Sequence, residues 1–404
     1  MVAGPLREPR RTESFCGLSD CYPSAAHQTG HSPFAATAWT LMDFSFAGHF
    51  DQPRFQWFVK GLREVMARKG HRFVADPDDA SLVVNCFPRE SARPFRRRAQ
   101  AVFVVSVTEL EPGEKTVHDA IPEIYPLLVR SLSNLLIGLT GPEESNPDAH
   151  FVTPEQGYYK VRGREDRREF FERVYSRIEP LATSRLIIDN VFDQDLPAEL
   201  WNGDDVTDSI REAGKRLDGL NLLPAPFPID EILSERDRRH LKRLYGMGGL
   251  SYGNISARLD ESRFWMSASG VDKSDLKEVG RDILLVKDYD EAKGAMVISV
   301  PPEVEPRRVS VDAIEHWMIY REHPGVGAIL HVHAWIEGVR STEFNYPCGT
   351  YELGKAVADI VREHHEPERA VVGLKNHGLT ITGESLEEIF DRVEGRLLQY
   401  VPMS

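Results

Sequence analysis

The sequence predicts an α/β protein with two folded parts behind a short leader. Three observations carry that expectation. At 404 residues the chain is long enough for two domains. From Met42 to about residue 140, apolar runs of strand length alternate with segments of helical period. The stretch Leu222-Leu223-Pro224-Ala225-Pro226-Phe227-Pro228 then has the proline density of a linker. The expected organisation is a leader at 1–41, an N-terminal α/β domain at 42–228 and a second domain at 229–404.

Residues 1–41 are rich in Pro, Arg, Ser, Ala and Gly without sustained periodicity, so they read as a flexible leader. Residues 55–69 have helical spacing, with Trp57, Phe58, Leu62, Val65 and Met66 as apolar positions and Gly70 as the stop. Residues 71–75, 81–87 and 101–107 read as strands, and 124–139 as a largely buried helix. Alternation of this kind builds a mostly parallel sheet. A helix at 164–178 and a strand at 185–191 follow, and 194–228 reads as irregular. No Gly-rich dinucleotide turn and no Gly-Lys-Ser/Thr loop is present, so no nucleotide site is predicted. Arg96-Arg97-Arg98 reads as a solvated loop, and the aromatic pair at Tyr158-Tyr159 as packing. The role of this half is not legible.

Charge and cysteine usage narrow the partners. A net charge of −14 opposes binding to nucleic-acid phosphates. The four cysteines, Cys16, Cys21, Cys86 and Cys348, have neither disulfide nor zinc-finger spacing, which fits a reducing cytoplasm. No run approaches the length of a membrane span, and the N-terminus lacks the pattern of a signal peptide. The expectation is a cytoplasmic protein that meets neither nucleic acid nor membrane.

The second domain opens with Asp230 as an N-cap and a charged helix to residue 244, broken by Gly246 and Gly248-Gly249. SYGNIS follows at 251–256. There Gly253 lets the backbone approach an anion and Asn254 offers donors, though a Gly-rich turn feeding a strand at 255–259 fits equally. Residues 264–267 read as a strand ending in Ser267-Ala268-Ser269-Gly270.

The stretch from Ser310 to His333 organises this domain. Residues 311–322 have helical length and end just before Pro324, which puts Asp312 in the first turn, where a carboxylate is favoured. The run VGAILHVH reads as a strand, so His331 and His333, two apart, point to one side. An antiparallel return from helix to strand brings Asp312 beside the His pair. A third histidine, His377, follows a strand-like run at 370–374 and precedes Gly378, whose freedom permits a tight turn. Three neutral imidazoles with an open position suit a catalytic zinc ion.

Four motifs in order, SYGNIS, SASG, the His331/His333 pair and KNHG at 375–378, make residues 232–382 resemble the class II aldolase/adducin family. The resemblance implies an αβα domain with a mainly antiparallel central sheet. It also implies a zinc lyase in which His331, His333 and His377 hold the metal, and Asp312 moves the proton that opens an enediolate route on a hydroxy-keto or sugar-phosphate substrate. Gly253, Asn254, Ser269, Gly270 and Ser310 would then bind the substrate's phosphate or carboxylate.

The chain departs from the family at four places. Ser310-Val311 replaces the usual serine pair, Asp312 stands where many family aldolases have Glu, the segment between His333 and Gly349 is short, and little follows the helix at 386–400. The epimerase branch of the family also has Asp at this position, so sugar-phosphate epimerisation remains an alternative. So does a non-catalytic adducin-like interaction module, which would have no need of three histidines and an acid. The resemblance further implies a cyclic homotetramer.

Overall fold

A computed structural model of the chain describes residues 41–98, 102–141, 147–154, 156–163, 166–220, 222, 229–239 and 253–403, and the expected leader lies outside them except for Leu41. The first sheet is built from β1 (Asp43–Gly48), α1 (Pro53–Arg68), β2 (Arg72–Phe73), β3 (Leu82–Cys86), β4 (Phe103–Glu109), α2 (Val117–Ser131), β5 (Leu135–Thr140), β6 (Asp148–Val152), β7 (Tyr158–Val161) and α3 (Arg167–Ala182). Its strand order is β2-β1-β3-β4-β5-β6-β7. The first five neighbours in that order run parallel, and β6 and β7 turn back antiparallel. Helices α1 and α3 cover one face with Phe55, Phe58, Phe170 and Phe171, while α2 covers the other.

One expectation fails here. The helix expected at 124–139 is instead α2 followed by strand β5. Leu132 takes a left-handed conformation, φ 53°, and ends the helix. Asn134 then accepts the N–H of Val104 at 2.9 Å and sets β5 alongside β4. Periodicity cannot separate a fully buried strand such as LLIGLT from a buried helix.

The second sheet is built from β8 (Asp189–Asp193), α4 (Asp205–Gly219), β9 (Gly253–Arg258), β10 (Phe264–Ser267), β11 (Ile283–Asp290), β12 (Ala295–Ser299), α6 (Ala313–Glu322), β13 (Ala328–Val332), α7 (Tyr351–Glu363), β14 (Val371–Leu374), β15 (Gly378–Gly383) and α8 (Leu386–Val393), while a short helix α5 (Ile229–Ile232), between α4 and β9 in the chain, packs against α2 of the first sheet. The order is β14-β15-β13-β9-β10-β11-β12-β8. Every pairing is antiparallel except that of β12 with β8.

Residues 194–228, expected to be irregular, contain α4. Asp204 caps it by accepting the Thr207 N–H at 2.8 Å, and Ile210, Ala213 and Leu217 face the sheet. Because β8 pairs with β12 and α4 packs on the second sheet, the chain changes sheets between Ala182 and Asp189, not at 228. Much of the helix expected from 230 to 244 lies outside the described residues.

Strand alternation sorts the second sheet into layers. Ile329 and Met266 face α6 and α7, whereas Ile255, Leu330, Leu379 and Ile381 face α4 and α8. The result is the expected αβα arrangement around a mainly antiparallel sheet. Among the described residues, no helix is long and apolar enough to cross a membrane.

Candidate metal centre

His331 lies on β13 between Asn254 of β9 and Thr380 of β15, its directly paired neighbours. All three side chains therefore rise from the face that α6 covers. His333 follows just past the end of β13, and His377 sits in the turn between β14 and β15. Each histidine offers a ring nitrogen within 4.8 Å of the others. His331 Nε2 and His377 Nε2 lie 3.2 Å apart. Burial, reinforced by the neighbouring imidazoles, holds both rings well below the ordinary histidine range, so both are neutral and can present lone pairs to a cation. The donor set fits a zinc ion.

The first turn of α6 supplies the acids. Asp312 occupies the N-cap position, yet its carboxylate makes no capping bond. Instead Asn254 Nδ2 donates to Asp312 Oδ2 at 2.7 Å. Three residues on, and hence on the same helix face, Glu315 accepts from Thr380 Oγ1. Glu315 is wholly buried, and burial together with Asp312 raises its pKa well above the usual carboxylate range. The hydrogen bonds of Asp312 and Glu315 thus come from the two strand neighbours of His331. At the next residue, His316 Nδ1 meets Ser256 Oγ at 2.7 Å, and burial pushes this imidazole down to about 3.

Gly253 and Asn254 lie beside His331 and Val332 in the β9–β13 pairing. A Cβ at Gly253, whose φ is 146°, would sit 2.0 Å from the His331 carbonyl, so strand pairing already requires this glycine. Ser310 is tied to the end of β10, its N–H donating to Ser267 O at 3.2 Å. Ser269 donates its N–H to Arg308 O at 2.9 Å, and Gly270 is exposed beyond it with φ 68°. Ser251 and Tyr252 lie outside the described residues. Asn254 Oδ1 and Glu315 Oε2 are buried without a hydrogen-bond partner among the described residues.

Several residues of this site were not legible as members of it. Glu315 had a signal, the i, i+3 spacing from Asp312. The Lys273 side chain is buried, and desolvation, opposed by Asp272 and Asp312, pushes its pKa down to about 8. Cys348 Sγ comes within 3.5 Å of His377 Nε2 across a long sequence gap, and nothing in its own segment announces that.

Fold and site together define an αβα domain that gathers imidazoles and carboxylates on one face of an antiparallel sheet. Residues 238–395 match the model of the family described as Class II Aldolase and Adducin N-terminal domain. A methylthioribulose-1-phosphate dehydratase of Stenotrophomonas maltophilia is 30% identical over 146 residues, covering 34% of this chain and 61% of that protein. The enzyme of the same name from Xanthomonas campestris pv. campestris is 34% identical over 88 residues, covering 22% of this chain and 35% of that protein. The chain thus spans less than two thirds of the length of these relatives. Among solved structures, an L-fuculose 1-phosphate aldolase aligns with 48% of this chain and 81% of its own length, at 21% identity and a TM-score of 0.33.

Proposed function

We propose that residues 253–403 carry a zinc-dependent lyase site acting on a phosphorylated or carboxylated hydroxy-keto compound. The observation that carries this reading is the convergence of three imidazoles with ligand nitrogens within 4.8 Å of one another, while the buried Asp312 is hydrogen-bonded to Asn254, the strand neighbour of His331. His331, His333 and His377 would hold the ion, which would supply Lewis-acid charge beside the substrate's carbonyl and hydroxyl oxygens. Asp312 takes the proton from the carbon next to the carbonyl, and Asn254 holds its carboxylate in place through the 2.7 Å bond. Burial and the neighbouring Asp312 raise the pKa of Glu315, which favours its protonated form and would place an acid beside Asp312 in the first turn of α6.

The names of the relatives favour loss of water from a sugar phosphate over carbon–carbon cleavage; water loss begins with that proton removal, whereas cleavage would begin at the β-hydroxyl proton and end with a proton returned to the carbon. Gly253, Asn254, Ser269, Gly270 and Ser310 are the proposed anion contacts. The test is incubation of the zinc-loaded protein with methylthioribulose 1-phosphate, L-fuculose 1-phosphate and dihydroxyacetone phosphate, with products read by mass spectrometry. Turnover of one of them, lost on chelation and restored by zinc, is the expected result. Inertness towards all three with metal bound would overturn the sugar-phosphate reading.

A further inference from the structure

The β6–β7 hairpin of the first sheet reaches towards the candidate metal centre, and its contacts end on the residue before a candidate ligand. Asn376, in the turn that carries His377, has a left-handed backbone with φ 57°. Asparagine tolerates that conformation better than most residues, but it must be held there. Asn376 Nδ2 donates to the carbonyl of Tyr158 on β7 at 2.8 Å. The same hairpin grips the short segment after His333. The Asn345 N–H donates to the Tyr159 hydroxyl at 2.5 Å, and Asn345 Nδ2 donates to Thr153 Oγ1 at 3.2 Å. A Cβ at Gly157 would lie 2.0 Å from Asn345 Nδ2, so only glycine admits that side chain.

The gripped segment is tied on its other side to β14. Thr342 donates its N–H to Gly373 O at 2.9 Å, and the Lys375 N–H donates to Thr342 Oγ1 at 3.0 Å. Asn345 and Asn376 are both buried. Hairpin, segment and ligand-bearing turn therefore form one hydrogen-bonded stack that ends at His377.

We propose that the β6–β7 hairpin of the first sheet is a positioning element of the metal site, fixing the turn at 375–378 through Asn376 and so setting the direction of the His377 imidazole. This assigns a task to the N-terminal half, and it rests on the reading of His331, His333 and His377 as ligands. Asn376, Asn345, Gly157 and Tyr159 are positioning residues, since none of them touches the ion. Partners that orient a ligand in this way commonly change metal affinity about 10–100-fold when removed.

The test uses the full chain and two variants. Asn376→Gly keeps the left-handed backbone and removes the bond to Tyr158, while Gly157→Val drives Asn345 off the hairpin. Zinc affinity is measured by competition with a chelator, and ligand geometry by the absorption spectrum of the cobalt-loaded protein. Amide hydrogen exchange at His377, whose N–H donates to Leu374 O at 3.0 Å, is read on metal-free protein. In Asn376→Gly, zinc affinity falls about 10–100-fold, the cobalt spectrum shifts and His377 exchanges faster, with the thermal midpoint near wild type. Gly157→Val gives the same signature if it folds.

Wild-type affinity, spectrum and exchange in Asn376→Gly overturn the proposal. If the wild type itself binds no zinc, the ligand reading fails separately. The exchange at His377 then decides the positioning claim alone, an unchanged rate rejecting it.

Discussion

His150 on β6 and His331 on β13 are both wholly buried histidines on interior strands, one in each sheet. In the first sheet, both ring nitrogens of His150 are satisfied by the fold. Nε2 meets Thr140 Oγ1 at 3.1 Å and Nδ1 meets the Tyr158 hydroxyl at 2.8 Å. Burial pushes this imidazole down to about 4, and it stays neutral as a core residue. In the second sheet, burial does the same to His331, yet its Nε2 faces another neutral imidazole nitrogen at 3.2 Å. Burial and neutrality are common to both, so neither marks a site. The lone pairs of His150 are spent within the fold, whereas those of His331 and His377 converge.

The largest expected effect would break this comparison outright. The double variant His331→Ala, His333→Ala leaves one of three ligands. Elemental analysis of protein purified without chelator should therefore drop from about one zinc per chain to a trace. Occupancy equal to wild type would mean that the cluster is not the metal site. Next in size is Asp312→Asn, which preserves volume and the neighbouring Asn254 while removing the proton acceptor. Turnover of any identified substrate should fall about 10²–10⁴-fold with metal content unchanged. A loss of less than tenfold would leave Asp312 a mere helix-start residue.

A smaller effect probes the other histidine. Thr140→Val deprives His150 Nε2 of its partner, and the orphaned buried group should cost about 1–3 kcal/mol in denaturant unfolding while zinc content stays at the wild-type level. A loss of metal in this variant would erase the distinction between the two histidines.

The smallest effect concerns Glu315 and appears as a slope. Its folded pKa is raised above the ordinary 4.5, so its contribution is fully present below that value and is lost as pH rises through the folded pKa. Metal-free wild type should therefore lose stability relative to Glu315→Gln as pH rises from 4.5, by at most about 1.4 kcal/mol per pH unit. Parallel stability curves for the two proteins would show that the carboxyl is not held in its protonated form.

How much was legible varies with the kind of pattern. Strand β10 falls at 264–267 as expected, because FWMS is short, apolar and bounded by a turn. Helix α6 ends where Pro324 requires and starts beside Asp312. By contrast, the sequence reads as the end of a helix at β5 and as an irregular stretch at α4. In β5 every residue is buried, which removes the alternation that identifies a strand. In α4 the apolar positions are Val206, Ile210, Ala213 and Leu217 among many charges, too sparse a stripe to stand out against the glycines and the nearby linker.

The sequence alone determined the residue types and local placement of the site: two histidines at strand spacing, a third before a glycine, and an acid opening a helix. Each depends on backbone periodicity and turn chemistry over a few residues, which are local properties of the chain. Only the tertiary structure decided that Asn254 and Thr380 donate hydrogen bonds to Asp312 and Glu315. It alone buried Lys273, brought Cys348 to His377 and set the hairpin of the first sheet against Asn376. Those contacts join residues far apart in the chain. They arise from strand order and from the docking of one sheet on the other, and no local pattern encodes either.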